Sequence, residues 1–223
     1  MGLVKLIKLI ENKYNHLLIA LIFAFLSEPF VGETIIGISV LFIIFFGIFL
    51  WTILLVIKAL EHDRILFHRY LVLAGLAFCL KILGELDLLS SLAKQIINAS
   101  CQTIFLFFIG MSIILILEEI FAVPTVTSDT IKGGVCIYFL IGFFWSILYA
   151  LICSFNPTAF SIPMQLSDIN YFSFTTLTTV GYGDIAPMSP VVRILANLEA
   201  IVGILYPTIF IARLIGLYSS EKK

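Results

Sequence analysis

The chain has 223 residues, of which 61% are apolar or aromatic and only 12% are charged. A soluble domain runs at about 45–50% apolar and about 25% charged, so this chain carries too few charges to cover a water-facing surface. The same figures exclude disorder, which needs low hydrophobicity and high net charge. A net charge of −1 offers no electrostatic handle for nucleic acid. The composition is that of an integral membrane protein.

In chain order, Lys5, Lys8 and Lys13 interleave with Leu3, Leu6, Ile7 and Ile10 at helical spacing, which suits an interfacial amphipathic segment in contact with membrane lipids. The apolar run Leu17–Leu26 is not followed by a small-x-small cleavage site; Ser27-Glu28-Pro29 stands there instead, so a signal peptide is disfavoured. A bilayer core of about 30 Å needs about 20 apolar residues in a helix. Six spans meet or approach that measure: Asn15–Val31, Ile35–Ile57, His68–Leu89, Ile96–Leu117, Gly133–Cys153 and Pro190–Leu214. The first is short and contains Glu28 and Pro29. The third contains Lys81 and Glu85, an i,i+4 pair. The expected fold is an all-α membrane protein of six transmembrane helices. It divides into a four-span domain (1–123), a linker (124–132), a two-span domain (133–217) and a tail (218–223).

Six spans put both termini on one side. Ten of the 13 basic residues fall on that side: Lys5, Lys8, Lys13, Lys58, Arg64, Arg69, Lys132, Arg213, Lys222 and Lys223. The positive-inside rule then places both termini in the cytoplasm of a cell whose inner (plasma) membrane the chain crosses. The loop between the last two spans is expected on the extracellular or periplasmic face.

Four cysteines (Cys79, Cys101, Cys136, Cys153) stand singly in apolar stretches and form no C-x-x-C, so they read as small core residues. Three histidines at span ends form no catalytic cluster. No base, nucleophile or metal-ligand constellation points to an enzyme or an organic cofactor. Voltage sensing needs several basic residues inside the fourth span, and Gln95–Leu117 has none. Glu118 and Glu119 close that span and read as solvent-exposed.

The segment Asn156–Pro187 carries no Lys or Arg and joins the last two spans. Ser167-Asp168 supplies an N-cap, and Ile169–Thr178 makes about three turns, too short to cross a bilayer. It reads as a re-entrant helix, followed by Thr178-Thr179-Val180-Gly181-Tyr182-Gly183-Asp184. Extended backbone at membrane depth survives only when buried in protein or lining a watery cavity. Gly181 and Gly183 permit positive φ, so successive carbonyls can face one side. Four such strands around an axis would stack rings of carbonyl oxygens, with the Thr179 hydroxyls as a further ring, and these can replace the hydration shell of K+. One chain supplies one strand, so the arrangement demands a homotetramer.

The stretch Thr176–Asp184, T-L-T-T-V-G-Y-G-D, resembles without gaps the signature of tetrameric potassium channels, and with Pro187 beyond it looks most like small bacterial ion channels. The resemblance covers about Val135 to Leu217. It implies that Thr179, Val180, Gly181 and Tyr182 coordinate K+, the permeant ion, with Gly183 completing the turn. It also implies that Asp184 helps hold this selectivity filter from behind. Tyr171 and Phe172 occupy the positions where some relatives carry two aromatic donors to the filter. Tyr171 keeps a donor, whereas Phe172 cannot hydrogen-bond Tyr182, so Phe172→Trp is expected to make conduction more sustained.

Three residues of the last span remain. Gly203 falls where the family often has a hinge glycine, and Pro207 removes the hydrogen bond to its carbonyl. A close helix contact explains Gly203 equally well. Glu199, one turn earlier, must be paired, hydrogen-bonded, protonated or wet. One reading puts it behind the filter, bonded to a hydroxyl such as Thr175 or Thr176. The other turns it into the cavity, where four ionised copies would repel one another, and the first is favoured. The tail after Tyr218 has five residues, so the gate is expected in the filter, the inner helix, lipids, pH or an unidentified partner polypeptide. Rival functions are a nonselective cation channel, which typically alters the filter tyrosine, and a non-conducting regulatory subunit. A K+-uptake transporter subunit would carry four filter-like segments in one chain.

Overall fold

A computed structural model describes residues 13–27, 64–84 and 90–221, with isolated helical positions at 47, 50, 51, 53, 54 and 58. The described residues include the helices α1 (Lys13–Ser27), α2 (Arg64–Gly84), α3 (Ser91–Ala122), α4 (Ser128–Phe155), α5 (Leu166–Leu177) and α6 (Pro190–Glu221). The described residues between these helices form turns and irregular segments, with one isolated antiparallel bridge between Phe160 and Pro187.

Four helices, α2, α3, α4 and α6, are long and apolar enough to cross a membrane. They correspond to the third to sixth spans of the sequence reading. α1 has 15 residues, about 22 Å of helix, short of a hydrocarbon core of about 30 Å. The count of six therefore stands at four among the described residues. Most of the second span lies outside them, as do Leu3–Ile10 and Glu85, the partner assigned to Lys81.

Helix ends differ from the sequence reading where capping decides them. α3 starts at Ser91 because the Ser90 hydroxyl accepts the Ala93 N–H at 3.3 Å. It stops before Pro124, which disfavours helical geometry at Val123. α4 starts at Ser128, five residues before the expected span, and shortens the linker. A reciprocal cap sets that start: Thr130 N–H donates to Thr127 Oγ1 at 3.1 Å, and Thr127 N–H donates to Thr130 Oγ1 at 3.3 Å. α5 starts at Leu166, with Gln165 rather than Ser167 at the N-cap. Asp168 closes it by accepting the Gln165 N–H at 2.9 Å.

α4 is the hub, packing against α1, α3, α5 and α6. Its different faces carry Gly133, Gly134 and Gly142, where neighbours come close. A Cβ at Gly133 would lie 2.6 Å from Ile120 of α3 and 3.1 Å from the Tyr14 ring of α1. A Cβ at Gly134 would collide with the Phe210 ring of α6. Tyr14 is buried, and its hydroxyl donates to Glu119. Glu119 therefore corrects the exposed reading, since α1 brings a donor to it; Glu118 is exposed. At its other end α1 reaches α5, with the Phe25 ring edge-on to Phe174 at 4.7 Å. α2 rests on α3 through Tyr70 and Phe108, at 5.9 Å between ring centroids.

α6 buries only a narrow stripe: Val192, Glu199, Gly203, Phe210 and Leu217, recurring every four or seven residues. Its other faces leave Ile194, Leu198, Ile201, Leu205 and Ile209 about half exposed or more. A single chain leaves this helix largely uncovered.

Candidate functional site

The residues between α5 and α6 owe their path to an alternation of backbone handedness. Thr179, Gly181 and Gly183 have φ of 60°, 52° and 81°, while Val180 and Tyr182 between them keep negative φ. A regular strand points successive carbonyls to opposite sides, whereas alternating handedness turns them toward the same side. The glycines serve this conformation rather than any shortage of room, since a Cβ on either meets nothing within 4 Å. Thr179 has a Cβ and pays roughly 1–2 kcal/mol for the left-handed region. Such strain persists only when the surroundings fix it.

Hydrogen bonds from the inner part of the segment do the fixing. Thr179 N–H donates to Thr176 O at 2.9 Å. Val180 and Gly181 N–H both donate to Thr175 O, at 2.9 and 3.2 Å. These N–H groups are thus consumed by the end of α5, and residues 178–184 are exposed. The Thr175 side chain turns elsewhere, donating to Phe172 O at 3.0 Å. The C-terminal end of α5, with the negative end of its dipole, stands at the inner end of the segment.

The outer end is braced by Tyr171, whose hydroxyl donates to Asp184 Oδ2 at 2.8 Å. Its ring stacks on Tyr182, with centroids 6.2 Å apart and planes 4° from parallel. The bond to Asp184 raises the Tyr171 pKa, which keeps the phenol a donor. Phe172 points the other way, into the chain's own core. Its ring lies 5.3 Å from Tyr149 and 5.0 Å from Phe160, edge to face. Past this segment, Ser161 N–H donates to Ala186 O at 2.9 Å, and Ala186 N–H returns to Ser161 Oγ at 2.9 Å. Met188 N–H donates to Ala159 O at 2.8 Å, and Arg193 Nε to Pro187 O at 3.1 Å. This clasp ties the exit of the segment to the loop after α4. Nothing in the residue types of Ala159 or Ser161 announces it, because most of its donors and acceptors are backbone.

Glu199 is completely buried between α4, α5 and α6. Tyr149 O–H donates to its Oε2 at 2.7 Å, and Ser173 Oγ lies 2.6 Å from its Oε1. The hydroxyl on α5 is thus Ser173, not Thr175 or Thr176. Ser173 shares the buried side of α5 with Ile169, Asn170 and Leu177, whereas both threonines are only half-buried. Ser173 and Tyr149 were not singled out from sequence. A tyrosine amid an apolar span was the available signal, since a buried phenol usually has a partner.

Gly203 packs against the last turn of α5. A Cβ there would collide with the Leu177 carbonyl oxygen, the same oxygen that accepts Tyr138 O–H at 3.3 Å. Of the two readings of Gly203, close packing has its contact in the structure. α6 continues through Pro207 without a break in the helix.

Residues 125–220 match a family model described as an ion channel. That stretch runs from the linker before α4 nearly to the end of α6, and so contains every site residue above. The match supports ion-channel activity rather than an enzyme for this part of the chain, and together with the apolar helices it describes a multi-pass membrane protein. No curated protein and no solved structure matches the chain.

Proposed function

We propose that the chain is one subunit of a homotetrameric, potassium-selective channel that passes K+ down its electrochemical gradient. The observation that carries this reading is the alternating backbone of Thr179, Gly181 and Gly183 in an exposed segment whose inner N–H groups are already spent on α5. Backbone oxygens are then what remains to face an ion. Thr179, Val180, Gly181 and Tyr182 supply the coordinating oxygens, Gly183 completes the path, and Tyr171, Thr175 and Asp184 hold it in place. Rings of carbonyl oxygen substitute for the water shell of a large monovalent cation. One strand cannot enclose an ion, and the uncovered apolar face of α6 is the surface that copies of the chain, or lipid, would cover. Both termini are assigned to the cytoplasm by the distribution of basic residues.

Proteoliposomes loaded with K+ test the reading. Purified protein should dissipate a K+ gradient far faster than a Na+ gradient, and chemical cross-linking should stop at four subunits. Equal dissipation of both gradients would favour a nonselective cation channel, and no dissipation from a well-folded tetramer a regulatory subunit.

A further inference from the structure

The Ser173 hydroxyl has two oxygen neighbours, Gly142 O of α4 at 2.9 Å and Glu199 Oε1 of α6 at 2.6 Å. A serine hydroxyl has one proton to give. The Gly142 carbonyl can only accept, so if both contacts are hydrogen bonds, Ser173 donates to Gly142 and accepts from Glu199. Tyr149 O–H already donates to Oε2 at 2.7 Å, which leaves Oε1 as the atom that carries the proton.

We infer that Glu199 is a protonated, neutral carboxylic acid. It is the donor at the head of a relay that runs from Glu199 Oε1–H to Ser173 Oγ–H to the Gly142 carbonyl, and it joins α6, α5 and α4. An ionised Glu199 would take the Ser173 proton for itself and leave Ser173 Oγ and Gly142 O in contact with no hydrogen between them. It would also leave a full charge in a site with no exposure to solvent. Buried charge without a partner is costly enough that such groups neutralise instead. The titratable groups that face Glu199 are the phenols of Tyr149 and Tyr138, both on α4; among the described residues α5 and α6 add none. Among the described residues no cation forms an ion pair with it.

The placement gives the proton a use, and this part rests on the channel reading. Ser173 sits one turn before Leu177, whose carbonyl is held by Tyr138 and backed by Gly203. Glu199 is therefore a positioning residue: it fixes the pore helix α5 against the outer and inner helices without touching an ion. Removing its proton breaks the Ser173–Gly142 link and loosens the platform that Thr175 and Thr176 offer to the filter backbone.

Infrared spectroscopy of the full-length protein in lipid, compared with Glu199→Gln, tests the assignment. The wild type should show at neutral pH a protonated-carboxyl C=O band that the variant lacks. Tyr149→Phe should shift that band by removing the bond to Oε2, which keeps the test informative if Glu199→Gln fails to assemble. The thermal midpoint of the wild-type oligomer should fall on going from neutral to alkaline pH. That of Glu199→Gln, whose amide can still donate to Ser173 and accept from Tyr149, should change less. An absent band, or a carboxylate band in its place, overturns the inference while leaving K+ selectivity untouched. A present band in a protein that does not discriminate K+ overturns the channel reading and keeps the protonated acid.

Discussion

At the scale of single residues, the segment Thr179–Gly183 depends on backbone angles that side chains resist. Gly181→Ala and Gly183→Ala each force a Cβ into φ of 52° or 81°, at a cost of about 1–2 kcal/mol. Relaxing that strain turns a carbonyl away from its neighbours. Each variant should still form the oligomer but lose K+ flux, as a gradient-dissipation assay reports; a variant that conducts as well as wild type contradicts the role given to these glycines. Tyr171→Phe removes one hydrogen bond to Asp184 and should loosen the backbone around Asp184. K+ flux that declines faster during sustained conduction is the expected outcome. This scale was partly legible in sequence. The two glycines and the Tyr171–Asp184 pair could be named because a short motif constrains them. Ser173, Tyr149 and Tyr138 could not, since only the packing of α4 against α5 decides which hydroxyls of many meet Glu199 and Leu177.

At the scale of elements, α5 is fixed by its neighbours on several sides. α5 is held at its buried face by Ser173, at its end by Tyr138 and Gly203, and around Phe174 by Phe25, Phe139 and Phe143. Gly203→Ala drives a methyl group into the Leu177 carbonyl, so it should lower the yield and thermal midpoint of the oligomer. Were Gly203 a hinge alone, the same change would alter opening and leave stability in place. Phe172→Trp now reads differently from its sequence expectation. The ring is packed between Tyr149 and Phe160, and a larger indole there should cost about 1–3 kcal/mol by overpacking. A lower thermal midpoint, rather than more sustained conduction, is the expected result. Span positions were legible from apolar runs of sufficient length. The true helix ends were not, because the Thr127–Thr130 cap and the Gln165–Asp168 bond lie outside or at the margin of those runs.

At the scale of the whole molecule, the chain separates a stretch that matches an ion-channel family, residues 125–220, from helices before it that do not. α1 and α3 nonetheless contact α4 directly, α1 through Tyr14 and Phe25. α3 contains a single basic residue, Lys94, near its start. A helix without charges inside the field gains no energy from a change in membrane potential. K+ current should therefore follow the driving force, with little change in open probability when voltage is stepped. Steep activation by voltage would show that charge elsewhere in the chain moves.

The central claim is that Thr179–Gly183 selects K+ by its carbonyl oxygens, and a planar bilayer recording with K+ and Na+ gradients set in opposite directions tests it most directly. The current should reverse close to the K+ equilibrium potential. Reversal near zero, or near the Na+ potential, would contradict the account.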